Sequence, residues 1–210
     1  MIHIDRYKNF KELASSEREG VDYQVVVASR GSAVTILAPH GGGIEPGTSE
    51  IAKAIAGTEF SLYGFEGWKP SGNYESLHIT GVHFDEPRCL ELLTQCQVAV
   101  AVHGCDSDDQ RVYVGGLEEK VKRDLIKVLM HAGFDAIEDD TSHSGRDVEN
   151  ICNRCSTRKG IQLEITEGLR RAMFKGWRRR ERENVTEVFN KFVAALRGLL
   201  LERLESNHKT

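Results

Sequence analysis

The sequence has no long apolar run and no leader that begins with basic residues. None of its hydrophobic stretches approaches the ~20 residues that are needed to cross a bilayer. The opening residues MIHIDRYKNFKEL also lack the apolar core of a secretory signal. These absences argue against a membrane-spanning protein and predict one that is cytoplasmic when it is made, with no membrane partner.

Cysteine is sparse and does not follow a pattern typical of disulfides. The five cysteines are odd in number and irregularly spaced, which fits a reducing compartment. Cys152 and Cys155 form a C-x-x-C, but a structural zinc site needs a second pair of ligands, and no second C-x-x-C follows. Two reduced thiols on a helical segment are therefore favoured, with redox exchange or half of a zinc site as alternatives.

An excess of positive charge is absent as well. The 28 Lys and Arg residues are outnumbered by 32 Asp and Glu residues, so the formal net charge is −4. Because non-specific nucleic-acid binding needs a net basic field, no nucleic-acid partner is expected. The one dense basic run, residues 178–180, is followed by Glu181 and Glu183, which favours the solvated start of a helix over a clamp for phosphates.

The chain does contain a regular alternation of apolar strands and amphipathic helices. β-Branched runs at 22–28 and 33–38 are predicted to pair through a turn at Arg30-Gly31. Further strands are predicted at 60–65, 76–80, 97–104, 110–114, 134–139 and 160–166, and helices at 49–56, 86–95, 117–133, 147–155 and 182–204. This order predicts an α/β fold with a mixed, mostly parallel sheet in a three-layer αβα arrangement, and a single domain over residues 1–210.

Polar groups that are able to do chemistry stand at the ends of three apolar strands. His40 follows TILAP, His103 follows VAVAV, and Glu164 lies in IQLEIT. Ligands gather at the carboxyl ends of strands in such sheets. Together with Glu45, the two histidines supply three N/O ligands, which is the catalytic zinc pattern that leaves a fourth position for water. Glu164 is suited to accept the proton of that water.

Three consecutive glycines separate His40 from Glu45. Gly42 and Gly47 have the spacing of a phosphate-binding loop, but a threonine stands where that motif requires lysine, so phosphate binding is disfavoured. A sharp glycine turn would instead let His40 and Glu45 face one point. A flexible turn with incidental polar residues is the alternative.

Four motifs carry a resemblance to a known family. APHGGGIEPGTSEIA, a later AVHG, NRC and QLEIT resemble the zinc-dependent poly-γ-glutamate hydrolases of Bacillus phages and related bacterial proteins, over nearly the whole chain. The resemblance implies a core similar to that of zinc carboxypeptidases, and cleavage of γ-amide bonds between glutamate units. It further implies that His40, Glu45 and His103 bind one Zn²⁺ and that Glu164 is the general base. For a phage protein, lysis would bring the enzyme to a polymer outside the cell.

A polyanionic substrate also needs cations and amide donors. Asn153-Arg154 resembles the Asn-Arg pair with which carboxypeptidases hold a substrate carboxylate, and Arg154 is the candidate to polarise the scissile carbonyl. Four basic residues flank the same predicted strand and are candidates to extend a carboxylate-binding groove: Arg158, Lys159, Arg170 and Arg171. At least two of them are expected to be solvated surface residues. His78 is a further candidate substrate-binding residue.

Two other functions are compatible with these residues. The first is a zinc amidohydrolase for a small N-acyl amino acid such as an N-acylglutamate, which a narrow closed pocket would favour. The second is a non-catalytic module that binds metal or carboxylate. The favoured prediction, which rests on the resemblance, is a monomeric hydrolase whose partner is poly-γ-glutamate. A long open groove with several basic side chains would favour this polymer.

Overall fold

A seven-stranded sheet forms the middle layer of the protein. The computed structural model describes residues 5–140 and 144–207. The strands are β1 (Tyr23–Ala28), β2 (Val34–Gly42), β3 (Ser61–Gly67), β4 (Val98–Cys105), β5 (Arg111–Gly116), β6 (Asp135–Glu138) and β7 (Ile161–Thr166). The helices are α1 (Phe10–Ser16), α2 (Thr48–Ala56), α3 (Asn73–Leu77), α4 (Pro87–Thr94), α5 (Glu119–His131), α6 (Glu167–Ala172) and α7 (Glu187–Asn207). Short 3₁₀ turns cover Ile151–Arg154 and Glu181–Glu183.

The sheet is mixed. Its strand order is β1-β3-β2-β4-β7-β5-β6, and β3, β2, β4 and β7 run parallel to one another. At the two edges, β1 is antiparallel to β3, β5 is antiparallel to β7, and β6 is parallel to β5. The predicted mixed, mostly parallel sheet is confirmed.

Alternation along the strands divides the core between two faces of the sheet. In β4, Val100 and Val102 pack on the side of α2, α5, α6 and α7, whereas Ala99 and Ala101 pack on the side of α1, α3, α4 and the 3₁₀ turn at 151–154. A strand presents successive side chains to opposite faces, so two apolar layers form from one run of small and branched residues. The three-layer αβα arrangement follows from this division.

The predicted hairpin between the first two strands is wrong. β1 pairs with β3, and β2 lies between β3 and β4. All nine residues of β2 are buried, whereas β1 has partly exposed positions and lies at the edge. A strand that is buried on both faces belongs in the centre of a parallel sheet, which separates the two runs despite the short turn between them.

Three other element predictions differ from the structure. The predicted strand at 76–80 is replaced by α3 and an extended segment, and the predicted helix at 147–155 is reduced to the 3₁₀ turn. The last helix begins at Glu187, so the basic run at 178–180 precedes a 3₁₀ turn instead of starting that helix. Within residues 5–140 and 144–207, no helix has both the length and the apolar character of a membrane span.

The connections place a crevice at the carboxyl ends of β2 and β4. From β2 the chain passes through α2 to β3 on one side, and it then returns through α3 and α4 to β4 on the other side of β2. Strand order reverses at this point, and open α/β sheets form their ligand sites at such positions.

Candidate active site

A tight turn after β2 brings His40 and Glu45 together. The Glu45 backbone N–H donates to the His40 carbonyl oxygen at 2.9 Å, and the Thr48 hydroxyl donates to the Glu45 carbonyl oxygen at 2.9 Å. These bonds close the loop at the start of α2. As a result, His40 Nδ1 lies 2.9 Å from Glu45 Oε1, and both side chains are buried.

The three glycines of this turn are required by close approach. A Cβ on Gly41 would lie 2.1 Å from the Ser49 hydroxyl oxygen, and one on Gly43 would lie 2.6 Å from Asn73 Nδ2. Gly42 has a φ of +67°, a conformation in which a side chain is strained. The glycine run therefore has a packing role as well as a conformational one.

His103 reaches the same point from the end of β4. Its Nδ1 lies 3.1 Å from His40 Nδ1 and 3.9 Å from Glu45 Oε2. The neighbouring Gly104 N–H donates to Glu45 Oε2 at 2.8 Å, which fixes the orientation of the carboxylate. Two imidazole nitrogens and one carboxylate thus converge in a buried position.

The geometry of this cluster fits Zn²⁺. His40 Nε2 lies 2.8 Å from the Ile79 carbonyl oxygen, which can only accept, so Nε2 carries a proton. In neutral His40, the lone pair of Nδ1 then faces a lone pair of the Glu45 carboxylate. Because two lone pairs repel each other, a cation bound between them stabilises this arrangement. Tetrahedral zinc places its ligand atoms roughly 3.3 Å apart, close to the separations in this cluster.

His40 and Glu45 shift each other's pKa. Burial lowers the pKa of His40, but the charge of Glu45 outweighs it and the pKa is raised overall. Burial likewise raises the pKa of Glu45, yet the charge of His40 and their hydrogen bond hold it at about 2. The two side chains therefore stabilise each other's charged forms.

His78 lies beside the cluster. Its Nδ1 is 2.6 Å from Asp5 Oδ1, its Nε2 is 3.9 Å from Glu45 Oε1, and its ring centroid is 4.1 Å from that of His40. Candidate ligand atoms of His40, Glu45 and His78 all lie within 4.8 Å of one another. Burial and the neighbouring His40 lower the pKa of His78, which favours a neutral ring that donates to Asp5 through Nδ1.

Strand register sets Glu164 next to the histidines. Glu164 of β7 pairs with His103 of β4 on one side and with Tyr113 of β5 on the other, so the three side chains share one face of the sheet. Gln162 Nε2 donates to Glu164 Oε1 at 2.9 Å, and Asn150 Nδ2 donates in turn to Gln162 Oε1 at 3.0 Å. Two successive side-chain amide hydrogen bonds therefore orient the Glu164 carboxylate.

The surroundings of Glu164 favour its protonated form. Burial raises the pKa of Glu164 well above its usual range, and the negative charges of Glu45 and Asp139 raise it further. A carboxylate with a raised pKa is a stronger base near neutral pH than an exposed one. Glu164 thus has the character expected of a general base.

Arg170 donates hydrogen bonds to three backbone segments around the site. It is buried, and its guanidinium donates to the carbonyl oxygens of Ile165 at 3.0 Å, Pro46 at 2.7 Å and Cys105 at 3.2 Å. These acceptors belong to β7, to the loop that holds Glu45 and to the end of β4. One side chain therefore links the segments that carry Glu45, His103 and Glu164.

The chain matches a known protein family over most of its length. Residues 7–195, most of the chain, match the family model described as poly-gamma-glutamate hydrolase. The chain belongs to the poly-gamma-glutamate hydrolase family. The predicted family and the activity class that it implies, a hydrolase of poly-γ-glutamate, are confirmed.

Relatives of this poly-gamma-glutamate hydrolase family member occur in Bacillus subtilis (strain 168). The UPF0714 protein YndL is 44% identical over 81% of this chain and 67% of its own length. The SPbeta prophage-derived UPF0714 protein YoqZ is 37% identical over 97% of this chain and 74% of its own length.

Solved structures have the same fold. A bacteriophage poly-gamma-glutamate hydrolase has a TM-score of 0.91 at 36% identity, covering 95% of this chain and 98% of that one. The zinc-free apo form of YndL has a TM-score of 0.90 at 40% identity, covering 94% and 98%. An N-formylglutamate amidohydrolase from Ralstonia eutropha JMP134 has a TM-score of 0.52 at 11% identity, covering 90% and 99%, and shares the fold alone.

The structure does not bring Asn153, Arg154 or Arg158 to the cluster. The Asn153 amide accepts from the Gly160 N–H, just before β7 begins, so this segment lies at the opposite end of the strand from Glu164. Arg154 and Arg158 both pair with Glu149, at 3.0 Å and 3.4 Å. Asn153 also donates to two backbone carbonyls, which accounts for its complete burial.

Arg171 is directed away from the cluster. It pairs with Glu167 one helical turn earlier, and its guanidinium lies 4.5 Å from the centroid of the Trp177 ring. The neighbouring Arg170 takes the buried position. Cys152 and Cys155 are both buried free thiols that pack in the core, as the sequence favours.

Sequence reasoning did not identify Gln162 or Asp139, and it expected Arg170 to extend a carboxylate-binding groove, whereas the structure buries Arg170 against backbone carbonyls. The pattern of IQLEIT carried one usable signal, because its apolar residues alternate with Gln162 and Glu164, which must then share a face. Neither Arg170 nor Asp139 has a comparable signal, since each reaches the site from a segment that is distant in sequence from the histidines.

Proposed function

We propose that this protein hydrolyses γ-amide bonds of poly-γ-glutamate with one Zn²⁺ held by His40, Glu45 and His103. The observation that carries the proposal is the convergence of His40 Nδ1, His103 Nδ1 and the Glu45 carboxylate, with Glu164 on the same face of the sheet. Membership of the poly-gamma-glutamate hydrolase family supports the substrate.

The metal would supply the chemistry that the side chains lack. Zn²⁺ bound at such a site lowers the pKa of a water towards ~7 and polarises a carbonyl group. The protein contributes a buried, preorganised ligand set in which His40 is oriented by Ile79 and Glu45 is oriented by Gly104.

Glu164 is assigned to proton transfer. Its carboxylate accepts a proton from the attacking water and then delivers it to the nitrogen of the leaving glutamate unit. The hydrogen bond from Gln162 leaves the second carboxylate oxygen, Oε2, for this task. The raised pKa increases the proton affinity of the carboxylate, which suits uptake of a proton from water.

His78 and Arg170 are assigned supporting tasks. His78, held by Asp5, presents Nε2 towards the cluster and is placed to accept a hydrogen bond from a substrate amide. Arg170 acts as a positioning residue through its three carbonyl acceptors. Arg154 has no part in this proposal, because its guanidinium pairs with Glu149 at the other end of β7.

The direct test is to incubate the zinc-loaded protein separately with high-molar-mass poly-γ-glutamate and with N-acetyl- and N-formylglutamate. Chromatography would follow polymer length and free glutamate. We expect a progressive fall in polymer length and no turnover of the small amides. Intact polymer with release of free glutamate would replace this proposal with a small-substrate amidohydrolase, and no turnover of any substrate would favour a binding module.

A further inference from the structure

A cavity beside the candidate active site combines exposed aromatic rings with a basic side chain. It has a volume of about 510 Å³ and lies between the end of β3, the start of α3 and the basic run at 178–180. Trp68 and Tyr74 both line it and are 40% and 37% exposed. Large exposed aromatic side chains at one cavity are typical of a surface that contacts a ligand.

The cavity adjoins the metal-ligand cluster. Gly43, which lies between His40 and Glu45 in the chain, forms part of its lining. On another side, the ring centroid of Tyr74 is 4.7 Å from that of His78, which is in turn 4.1 Å from that of His40. A chain bound at the cluster could therefore continue directly into the cavity.

Arg179 gives the cavity its positive charge. The other two cations of the lining are paired, Lys69 with Glu17 at 2.6 Å and Arg182 with Glu50 at 2.8 Å. Among the residues that the structure describes, no carboxylate lies within ion-pair distance of Arg179, and Glu75 is the acidic member of the lining. The Arg179 guanidinium is thus the group that is available to a negatively charged ligand.

Two contacts orient that guanidinium. It lies 5.6 Å from the centroid of the Trp68 ring, and its Nη2 donates to the Gly67 carbonyl oxygen. Arginine carries five N–H donors in a planar fork, so this bond leaves donors for a bidentate carboxylate. A preordered side chain also loses less entropy when it binds a ligand.

The glycine run makes room for the arginine. A Cβ on Gly42 would lie 2.7 Å from Arg179 Nη2 and 2.6 Å from the Gly67 carbonyl oxygen. Gly42 therefore also leaves room for the Arg179 side chain at the edge of the cavity. Two motifs that are far apart in the sequence, the triple glycine and the triple arginine, meet at this point.

We propose that this cavity is a subsite for the free α-carboxylate of a glutamate unit that flanks the cleaved bond, with Arg179 as its recognition residue. The inference rests on the proposed function, because it assumes the γ-linked polymer as substrate. Standard bond lengths give a γ-linked unit a repeat of about 6 Å, which is comparable with the ring separations of 4.7 Å from Tyr74 to His78 and 4.1 Å from His78 to His40. Each unit of the polymer carries one free α-carboxylate that Arg179 can bind.

The test compares Arg179→Gln with Arg178→Gln, a matched control on the exposed neighbouring arginine. We expect Arg179→Gln to raise KM for poly-γ-glutamate about tenfold or more and to leave kcat within about twofold, because the lost contact lies away from the reacting atoms. Arg179→Lys should fall between it and the wild type, and Arg178→Gln should match the wild type. Equal KM values for the two glutamine variants would overturn the subsite.

A binding measurement separates this inference from the proposed function. Calorimetric titration of a γ-linked tetraglutamate into Glu164→Gln, with and without Arg179→Gln, reports affinity without turnover. A loss of about tenfold in the double variant supports the subsite whether or not the wild type cleaves the polymer. Unchanged affinity, or no binding to either protein, would overturn it. A wild type that leaves the polymer intact would instead contradict the proposed function.

Discussion

Glu164 and His103 are neighbours across the β4–β7 pair, yet their surroundings prepare them for different tasks. His103 faces His40 and Glu45 within a set of candidate ligand atoms. Glu164 is oriented by Gln162, and burial together with nearby negative charge raises its pKa. We therefore assign metal binding to His103 and proton transfer to Glu164, and single substitutions can test these separate roles.

The first prediction concerns Glu164→Gln. This substitution keeps the shape of the side chain but removes the base, so kcat on poly-γ-glutamate should fall by about 10³-fold while zinc content is unchanged. Glu167→Gln, three residues later and paired with Arg171 on the surface, is the matched control and should retain activity. Kinetics and elemental analysis measure the two effects, and a Glu164→Gln enzyme with normal kcat would refute the assignment.

The second prediction concerns His78→Gln. If His78 contacts substrate and is not a ligand, zinc content should match that of the wild type, while kcat/KM falls by roughly tenfold or more. His83, which is exposed on the same segment, provides the control substitution His83→Gln. Loss of zinc from His78→Gln alone would instead make His78 a metal ligand, which its 3.9 Å approach to Glu45 permits.

The turn from β2 to α2 and the short helix α6 together hold the site in shape. The turn brings His40 to Glu45, and Arg170 of α6 links that turn to the ends of β4 and β7. Substitutions that loosen this turn or α6 are therefore expected to lower both the stability of the fold and its affinity for metal.

The third prediction compares Arg170→Met with Arg171→Met. Loss of the Arg170 guanidinium leaves three carbonyl oxygens without their donor, so the free energy of unfolding should fall by about 3 kcal/mol. The exposed Arg171 should contribute less than about 1 kcal/mol. Urea denaturation measures both, and similar losses for the two variants would contradict the positioning role of Arg170.

The sequence correctly predicted features that depend on the local pattern of residues within one element. The alternation in β4 and β7 indicated strands whose polar ends carry His103 and Glu164, and the HGGGIE spacing indicated a turn that joins His40 to Glu45. Each of these follows from residues within one element. The same strand-end pattern indicated the candidate metal ligands, and motif likeness added the substrate class, which composition alone does not supply.

The sequence failed where position depends on contacts that are distant in the chain. Adjacent strands β1 and β2 seemed suited to a hairpin, but complete burial of β2 places β3 between them. The Asn153-Arg154 motif resembled a substrate-binding pair, yet the fold places it at the amino end of β7. Arg170 and Arg179, which lie at the site, occur in ordinary basic segments with no local signal of their position.

The order of the strands determines where the fold forms its ligand-binding site. Strand order reverses at β2, and the cluster lies at the carboxyl ends of β2 and β4. The cavity near Arg179 lies beside the cluster, at the end of β3. A cavity next to the cluster gives room for more than one unit of a substrate, which agrees with membership of the poly-gamma-glutamate hydrolase family.

A zinc ion held by His40, Glu45 and His103 should be required to cleave poly-γ-glutamate. The decisive experiment combines elemental analysis of zinc in the wild type and His40→Ala with polymer length before chelation, after chelation and after zinc is restored. We expect about one zinc per wild-type chain, its loss in His40→Ala, and cleavage that stops on chelation and returns with zinc. Cleavage that persists in metal-free protein, or full zinc content in His40→Ala, would contradict it.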